Sequence, residues 1–445
     1  MGAYNMKPLS WTGVLLGCIA VAAAIVVSAL TSNAGESPRK LRIIYTNDLM
    51  GYVESCGCGG RKDGGLARQV TAMSELLEEN PNHVIVDSGN LSPTADKLDL
   101  ITSLYSEMGY DAIGIGAMDD RIGDHYYTHV AAKKLTVLDA RPGARDFTVP
   151  YLIKDVGGVK VGVVSFGAVT FNPGQEQHEL RTALYSAFKT AREKSDILIL
   201  LDQSNIANQE WLERNASRLG APDIIIGGVA NTSIVQERVI GRTRVMPTFT
   251  QCRALGVVDV EIAPAQDPVF SWRKVALTEA GVPANEDVAR RIDELMLEIK
   301  KKAGVVVSAS QGVHTPAQHT ANSYYPPLVC KGCHIEQYDD WKKTEHAHAI
   351  TTLLDARRAI PECLECHSEM FRRSRRIVLP NDGIGGVECA TCHFDSLPHG
   401  MERKTSGVRV KVDPKLCLDC HTNVRSPDYD EATYMPRVSH LKAGR

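Results

Sequence analysis

The sequence predicts an α/β domain of two packed sheets with helices outside, followed by a smaller, mostly α-helical domain of different character. Three observations predict it. At 445 residues the chain is longer than one hydrophobic core ordinarily serves. From Leu41 to about Ala280, short apolar runs alternate with helical periodicity, the pattern of α/β construction. Cysteine usage then changes: Cys18, Cys56, Cys58 and Cys252 are scattered over residues 1–329, whereas eight more crowd into Cys330–Cys420. A formal net charge of -3 carries no basic bias, so nucleic acid is not an expected partner.

The expected limits are 1–40 for an N-terminal segment, 41–282 for the α/β domain, 283–325 for a linker and 326–445 for the last domain. The first segment carries one lysine, Lys7, and then the uncharged run Trp11–Leu30. Such a run spans about 30 Å of hydrocarbon as a helix. It exceeds the roughly 7 to 15 apolar residues of a cleavable signal, which favours a membrane anchor. Cleavage after Ser32–Ala34 and lipidation of Cys18 are the alternatives, and each of the three exports the rest of the chain. The expected location is therefore the periplasmic side of the cytoplasmic membrane, or the periplasm or exterior if the segment is removed.

In the α/β domain, Leu41–Asp48, His83–Asn90, Asp111–Gly116, Asp196–Asp202 and Asp223–Gly228 read as buried strands, each ending in the polar or glycine residues where sites form. Leu66, Val70, Met73 and Leu77 recur at helical spacing between the first two. Tyr151–Ala168 reads as a hairpin with a Gly-Gly turn, and the stretch from Arg242 to Ile262 as further strands.

The strand ends hold "NDLMGY" with Asp48 and Gly51, "DSGN" with Asn90, "GAMD" with Ala117 and Met118, Gln203 after "ILILL", and "GVAN" with Val229 and Asn231. In these motifs residues 41 to about 280 resemble the catalytic domain of the 5'-nucleotidase family of metallophosphoesterases. The resemblance implies a four-layer αββα sandwich and a two-metal site that polarises phosphate. It also implies Asp-x-His-Gly, Gly-Asp, Gly-Asn-His-Glu, a lone histidine and Gly-His-x-His. Here Met50, Asn90, Ala117, Met118, Gln203 or a neighbour, Val229 and Asn231 stand in the ligand or catalytic positions, and Asp48 alone survives. Methionine, alanine and valine offer a hard cation no oxygen or nitrogen, and asparagine brings no bridging charge. No divalent metal pair is expected, and the domain reads as catalytically degenerate. A relocated site built on His125, His129 or Asp119 with Asp120 lacks metal-ligand spacing. For Cys56 and Cys58, too close for easy mutual pairing, a structural disulfide from one of them to Cys252 is the preferred reading, and metal binding by their loop the weaker one.

Asn285–Gly304 reads as an amphipathic helix with an acidic start and a lysine-rich end, and Val305–Leu328 as an extended polar linker. Beyond it a five-residue pattern occurs four times: Cys330, Cys333, His334; Cys363, Cys366, His367; Cys389, Cys392, His393; Cys417, Cys420, His421. Cys-x-x-Cys-His is the attachment pattern of c-type haem, two thiols forming thioethers and the adjacent imidazole an axial iron ligand. Zinc held by paired Cys-x-x-Cys units is the alternative, but it does not require a histidine after every second cysteine. Four covalent haems are expected, and a haem-packed domain with few large aliphatics should be largely unfolded without them. Candidates for the second axial positions are His314, His319, His346, His348, His399 and His440.

With its four motifs, "YDDWKKTEHAHA" after the first, "GVECATCH" and a histidine near the end, the stretch from Pro326 to Lys442 resembles the tetrahaem cytochrome c-554 family, which passes electrons from hydroxylamine oxidation toward the membrane. The likeness implies distal ligation by His346 or His348, by His399 and by His440, mostly to haems other than the nearest in sequence, with one iron face open. The expected role is an electron relay between a membrane quinol-oxidising complex, or other cytochromes, and periplasmic or extracellular acceptors, the degenerate domain docking a partner. A multihaem reductase acting on a small inorganic substrate at an open iron is the alternative, and an active metallophosphoesterase a remote third.

Overall fold

The computed structural model describes residues 38–55, 63–167, 175–204, 209–227, 236–264, 266–302, 308–309, 323–356, 358–375, 378–379, 385–394, 412–422, 425–426 and 428–440. Trp11–Leu30, Cys18, Cys56, Cys58, Val229, Asn231, His314, His319 and His399 lie outside them. Among the described residues no helix is long and apolar enough to cross a membrane.

The chain divides into two compact units. One takes the described parts of Met1–Gly51, Ala72–Ala95 and Ile101–Leu277; the other takes those of Tyr52–Thr71, Asp96–Leu100 and Thr278–Arg445. The division follows contact rather than chain order, since two stretches of the α/β sequence belong to the second unit.

The elements from the N-terminal side are β1 (Arg39–Thr46), α1 (Leu66–Glu79), β2 (His83–Asp87), α2 (Leu98–Glu107), β3 (Ala112–Ile113), α3 (Ala117–Ile122), α4 (Asp124–Ala132), β4 (Tyr151–Val156), β5 (Val159–Ser165), α5 (Gln175–Glu193), β6 (Ile197–Asp202), α6 (Gln209–Leu219), β7 (Ile224–Gly227), β8 (Arg238–Ile240), β9 (Thr243–Met246), β10 (Ala254–Ile262) and β11 (Val269–Ala276). They form two mixed sheets, ordered β11-β10-β1-β2-β3 and β4-β5-β6-β7-β9-β8. The β4–β5 hairpin turns at Gly157 and Gly158, both at positive φ (60° and 82°), where a side chain would strain the backbone.

Strand alternation separates two cores. Ile197, Ile199 and Leu201 of β6 join Leu41, Ile43, Tyr45, Val84 and Val86 from the other sheet in the inter-sheet cluster. Leu198 and Leu200, on the opposite face, pack with Leu184, Phe188 and Trp211 from α5 and α6. Because both faces are covered, β6 is a continuous apolar run and not an alternating one. Tyr45 lies over Gly256 of β10, its register partner, where a Cβ would fall 2.0 Å from the ring. On α1 the buried stripe is Leu66, Ala72, Met73 and Leu76. Val70 and Leu77, expected in that stripe, are half-buried.

The second unit contains α7 (Glu286–Lys302), which buries Val288, Ile292, Met296 and Ile299 and runs from Glu286 and Asp287 to Lys300–Lys302. Short helices follow: α8 (Pro327–Lys331), α9 (Ile335–Trp341), α10 (Ala349–Asp355), α11 (Pro361–His367), α12 (Glu369–Ser374), α13 (Cys389–His393) and α14 (Glu431–Val438), with a two-residue parallel pair, Ser308–Ala309 with Val378–Leu379. Its helical apolar clusters are small, Ile350, Leu353, Ala359, Leu364 and Phe371 in one and Tyr338, Trp341 and Ala347 in the other.

Candidate functional sites: an amide-sealed pocket and four cysteine–histidine turns

At the ends of β1, β2 and β6 in the first unit, Asp48, Asn90 and Gln203 come together. Asn90 Nδ2 donates to Asp48 Oδ1 (2.8 Å) and to Gln203 Oε1 (3.1 Å), and Gln203 Nε2 donates to Asp48 Oδ1 (3.1 Å) and Ser88 Oγ (3.0 Å). Both amides thus donate to the same carboxylate oxygen, Asp48 Oδ1. Asp48 Oδ2 is buried without a hydrogen-bond partner among the described residues. Burial raises the Asp48 carboxyl to about 7 against the opposing pull of the two amides. Asp48, Met50 and Asn90 all have left-handed backbone, φ 51°, 54° and 61°. For methionine this costs on the order of 1 kcal/mol or more, and such strain clusters at functional strand ends.

Asp119, in the "GAMD" segment, is a backbone clamp. Its carboxylate accepts from the N–H groups of Asn90 (2.6 Å), Gly116 (2.8 Å) and Leu91 (2.9 Å). A Cβ on Gly116 would lie 2.1 Å from Asn90 Oδ1, so only glycine lets the two loops meet. Asp120 is paired with Arg141 (2.5 Å), and His129 Nδ1 bonds His125 O (2.7 Å), so these residues make structural contacts. Among the described residues no group of three or more His, Cys, Asp or Glu is placed to hold a metal ion. Cys252 is buried; its expected pairing with Cys56 or Cys58 falls outside the described residues.

In the second unit the second Cys-x-x-Cys-His lies within α11 and the third makes up α13, whereas the first starts at the end of α8 and the fourth in the 3-10 turn Pro414–Asp419, with Cys333, His334, Cys420 and His421 just beyond those elements. In the first, His334 N and Cys333 N both bond Cys330 O, at 2.9 and 3.1 Å, which holds thiols and imidazole on one turn. The motifs meet in pairs, the Cys330 and Cys389 thiols hydrogen-bonding to each other and the Cys366 thiol to Cys420. The bond from its partner draws the Cys330 and Cys366 thiols down.

The imidazoles meet in pairs too. His346 faces His421 with ring centroids 6.1 Å apart, and His440 faces His393 at 5.8 Å. Two metal–imidazole bonds of about 2 Å plus half a ring on each side place two axial imidazoles roughly 6 Å apart. His421 bonds Ser426 Oγ through Nδ1 (3.0 Å) and stacks on Tyr429, while His367 Nδ1 bonds Ala349 O (2.8 Å). In both, Nε2 is left for a metal, the usual outer-shell arrangement.

Thr344 caps the turn Glu345–His348, and Ala347 at its centre is fully buried, so His346 and His348 diverge. His348 Nε2 bonds Lys342 O (3.0 Å). The His346 carbonyl accepts from Val387 N (3.0 Å), and a Cβ on Gly386 would stand 2.6 Å from it, so the segment leading into the third motif clamps His346. Of the pair left open by sequence, His346 is the one turned toward another motif's imidazole.

These positions fit covalently bound haem: paired thiols beside an imidazole, facing imidazoles at metal-bridging separation, and Leu328, Ile335 and Leu418, each more than half exposed beside a motif where a macrocycle would cover them. Of the other distal candidates, His314, His319 and His399 lie outside the described residues. The residues that sequence reasoning missed are Asp119 as a clamp and Ser426 as a hydrogen-bond partner; a glycine followed three residues later by aspartate at a helix start was the signal for the first.

The comparisons agree with the two halves. Residues 329–394 match the family described as cytochrome c554 and c-prime, which takes in the first three motifs. The chain is 23% identical over 222 residues to 5'-nucleotidase of Rattus norvegicus, covering 43% of this chain and 38% of that protein. Among solved structures, the 5'-nucleotidase precursor from Thermus thermophilus superposes with a TM-score of 0.50 at 16% identity over 61% of each chain. The sulfate thiohydrolase SoxB of Thermus thermophilus gives 0.49 at 14% identity, over 59% of this chain and 61% of that one. The chain therefore spans about two fifths of the curated relative and three fifths of these solved structures. The two parts of the chain thus resemble different proteins: the α/β part is similar to 5'-nucleotidases, and residues 329–394 match the cytochrome c554 and c-prime family.

Proposed function

We propose that this chain is an exported four-haem electron carrier that relays electrons between a membrane quinol-linked donor or other cytochromes and periplasmic or extracellular acceptors. The facing imidazoles of His346 and His421, and of His393 and His440, carry the reading, because two imidazoles at that separation close an iron to ligand exchange. Cys330 and Cys333, Cys363 and Cys366, Cys389 and Cys392, and Cys417 and Cys420 would hold the haems, with His334, His367, His393 and His421 as proximal ligands. When bound, c-type haem supplies a one-electron iron couple. The chain's own part is to fix the imidazoles: Ser426 holds His421, the Ala349 carbonyl holds His367, and Gly385–Val387 hold His346. The phosphoesterase-like domain serves for docking, its polar pocket filled by Asn90 and Gln203 amides, and no metal-dependent phosphohydrolysis is expected. Membrane tethering through Trp11–Leu30 belongs to the same proposal.

Haem quantitation and electron paramagnetic resonance of the oxidised protein test it. Four covalent haems per chain with low-spin signals support the relay; colourless protein, or zinc in place of iron, ends it. A second reading is reduction of a small nitrogen or sulfur oxyanion at an iron with an open face. A high-spin component that binds cyanide would select it.

A further inference from the structure

We propose that Glu54 and Lys97, which lie in the phosphoesterase-like part of the sequence, are positioning residues that set the reduction potential of the second haem motif, Cys363–His367. The inference rests on the haem reading above and goes beyond it to one site. Tyr52–Thr71 and Asp96–Leu100 belong to the same compact unit as this motif. Glu54 is ion-paired with Arg358, which also bonds Asp293 Oδ1 of α7 at 3.1 Å. Lys97 Nζ lies 2.7 Å from Glu362 Oε1, and Glu362 directly precedes Cys363. Arg425 Nη1 donates to Cys366 Sγ at 3.1 Å and bonds the Tyr52 hydroxyl. Glu54, Asp293 and Glu362 on the anionic side and Lys97, Arg358 and Arg425 on the cationic side therefore belong to the charged groups about this attachment turn, together with Glu365 within it, which is paired with Arg375. The charges of Glu362, Glu54, Lys97 and Arg425 are all felt at the Cys363 thiol.

Stability alone is a poor reason for such a cluster. The Lys97 side chain is 8% exposed and that of Glu54 17%. Buried ion pairs of this kind are commonly matched or bettered by apolar side chains, because desolvation offsets their attraction. What they do supply is a fixed field in a poorly screened environment. An oxidised iron carries one more positive charge than a reduced one, so a neighbouring anion stabilises the oxidised state and a cation the reduced state. Removing any one of them changes the charge beside this site by one unit.

The test is a spectroelectrochemical titration of the full-length, haem-loaded protein at pH 8, above the burial-raised Glu54 carboxyl at about 7. Glu54→Gln should move one of the four potentials upward and Lys97→Met should move the same potential downward, with three unchanged and four haems retained. Opposite signs separate an electrostatic role from a packing defect, which would move both variants the same way or disturb all four haems. Curves that superimpose on the unmutated protein, or shifts of one sign, overturn the proposal. Should either variant fail to accumulate, Glu362→Gln reads the same sign as Glu54→Gln, and Lys97→Arg should restore the original value. A protein with no covalent haem gives no titration and defeats the earlier reading separately.

Discussion

The rings of His346 and His421 face each other at 6.1 Å, while His348, two residues along the same turn, gives its Nε2 to the Lys342 carbonyl. The two histidines are thus not interchangeable. His346→Ala should convert one haem from low to high spin, read by electron paramagnetic resonance and by new cyanide binding. His348→Ala should leave the spectrum unchanged. Equal effects of the two substitutions would remove the assignment.

The family match ends at residue 394, yet Cys417, Cys420 and His421 repeat the motif and His421 takes part in one of the two imidazole pairs. A fourth attachment site is therefore expected. Cys417→Ala with Cys420→Ala should lower covalent haem from four to three per chain by pyridine haemochrome assay and leave His346 without an iron. A count unaffected by the double substitution would show that the last motif holds nothing.

Much of this was legible because the signals are local. The short apolar run Ile197–Asp202, bounded by polar residues, reads as a strand covered on both faces, and the Cys-x-x-Cys-His repeats point to haem attachment without tertiary structure. That His346 and not His348 faces another motif's imidazole was not legible, since it depends on the buried Ala347 and on the clamp at Gly386, far along the chain. Nor was the membership of Tyr52–Thr71 in the second unit, which rests on pairings such as Arg68 with the Val282 carbonyl and Asn285 N with Ala67 O. Likewise, Met50 and Asn90 could be read from the sequence, but not that the Asn90 and Gln203 amides would both donate to Asp48.

Burial gives Asp48 a carboxyl pKa of about 7 in the folded chain against 3.8 unfolded, and Asp119 and Asp87 are raised for the same reason. A raised carboxyl means the folded state keeps a proton that the unfolded state has released. Its contribution is fully present below about pH 4 and is lost as pH climbs to about 7. Asp48→Asn removes one such proton. Relative to the unmutated chain it should therefore gain stability across that window, on the order of 4 kcal/mol at most. Denaturant unfolding followed by tryptophan fluorescence at pH 4.5 and 7.5 reads the difference; a gap that does not widen with pH would show that Asp48 is ionised throughout.

Asn90 is 5% exposed, donates to Asp48 and Gln203, and accepts from Met118 N at 3.0 Å. Asn90→Asp keeps the shape and the acceptor but turns the donating amide into a second carboxylate beside Asp48. Losing a buried donor and adding a like charge should cost about 2–4 kcal/mol at neutral pH, less under acid conditions where one of the pair takes a proton. A divalent cation supplies the missing positive charge, so manganese should raise the melting temperature of Asn90→Asp and leave that of the unmutated protein unchanged. Hydrolysis of p-nitrophenyl phosphate should stay at the blank in both, because Met50, Ala117 and Met118 still offer no ligand for a second ion and no proton donor. Manganese stabilisation of the unmutated protein, or an Asn90→Asp variant as stable as its parent without metal, would mean that the amides are not what fills this pocket.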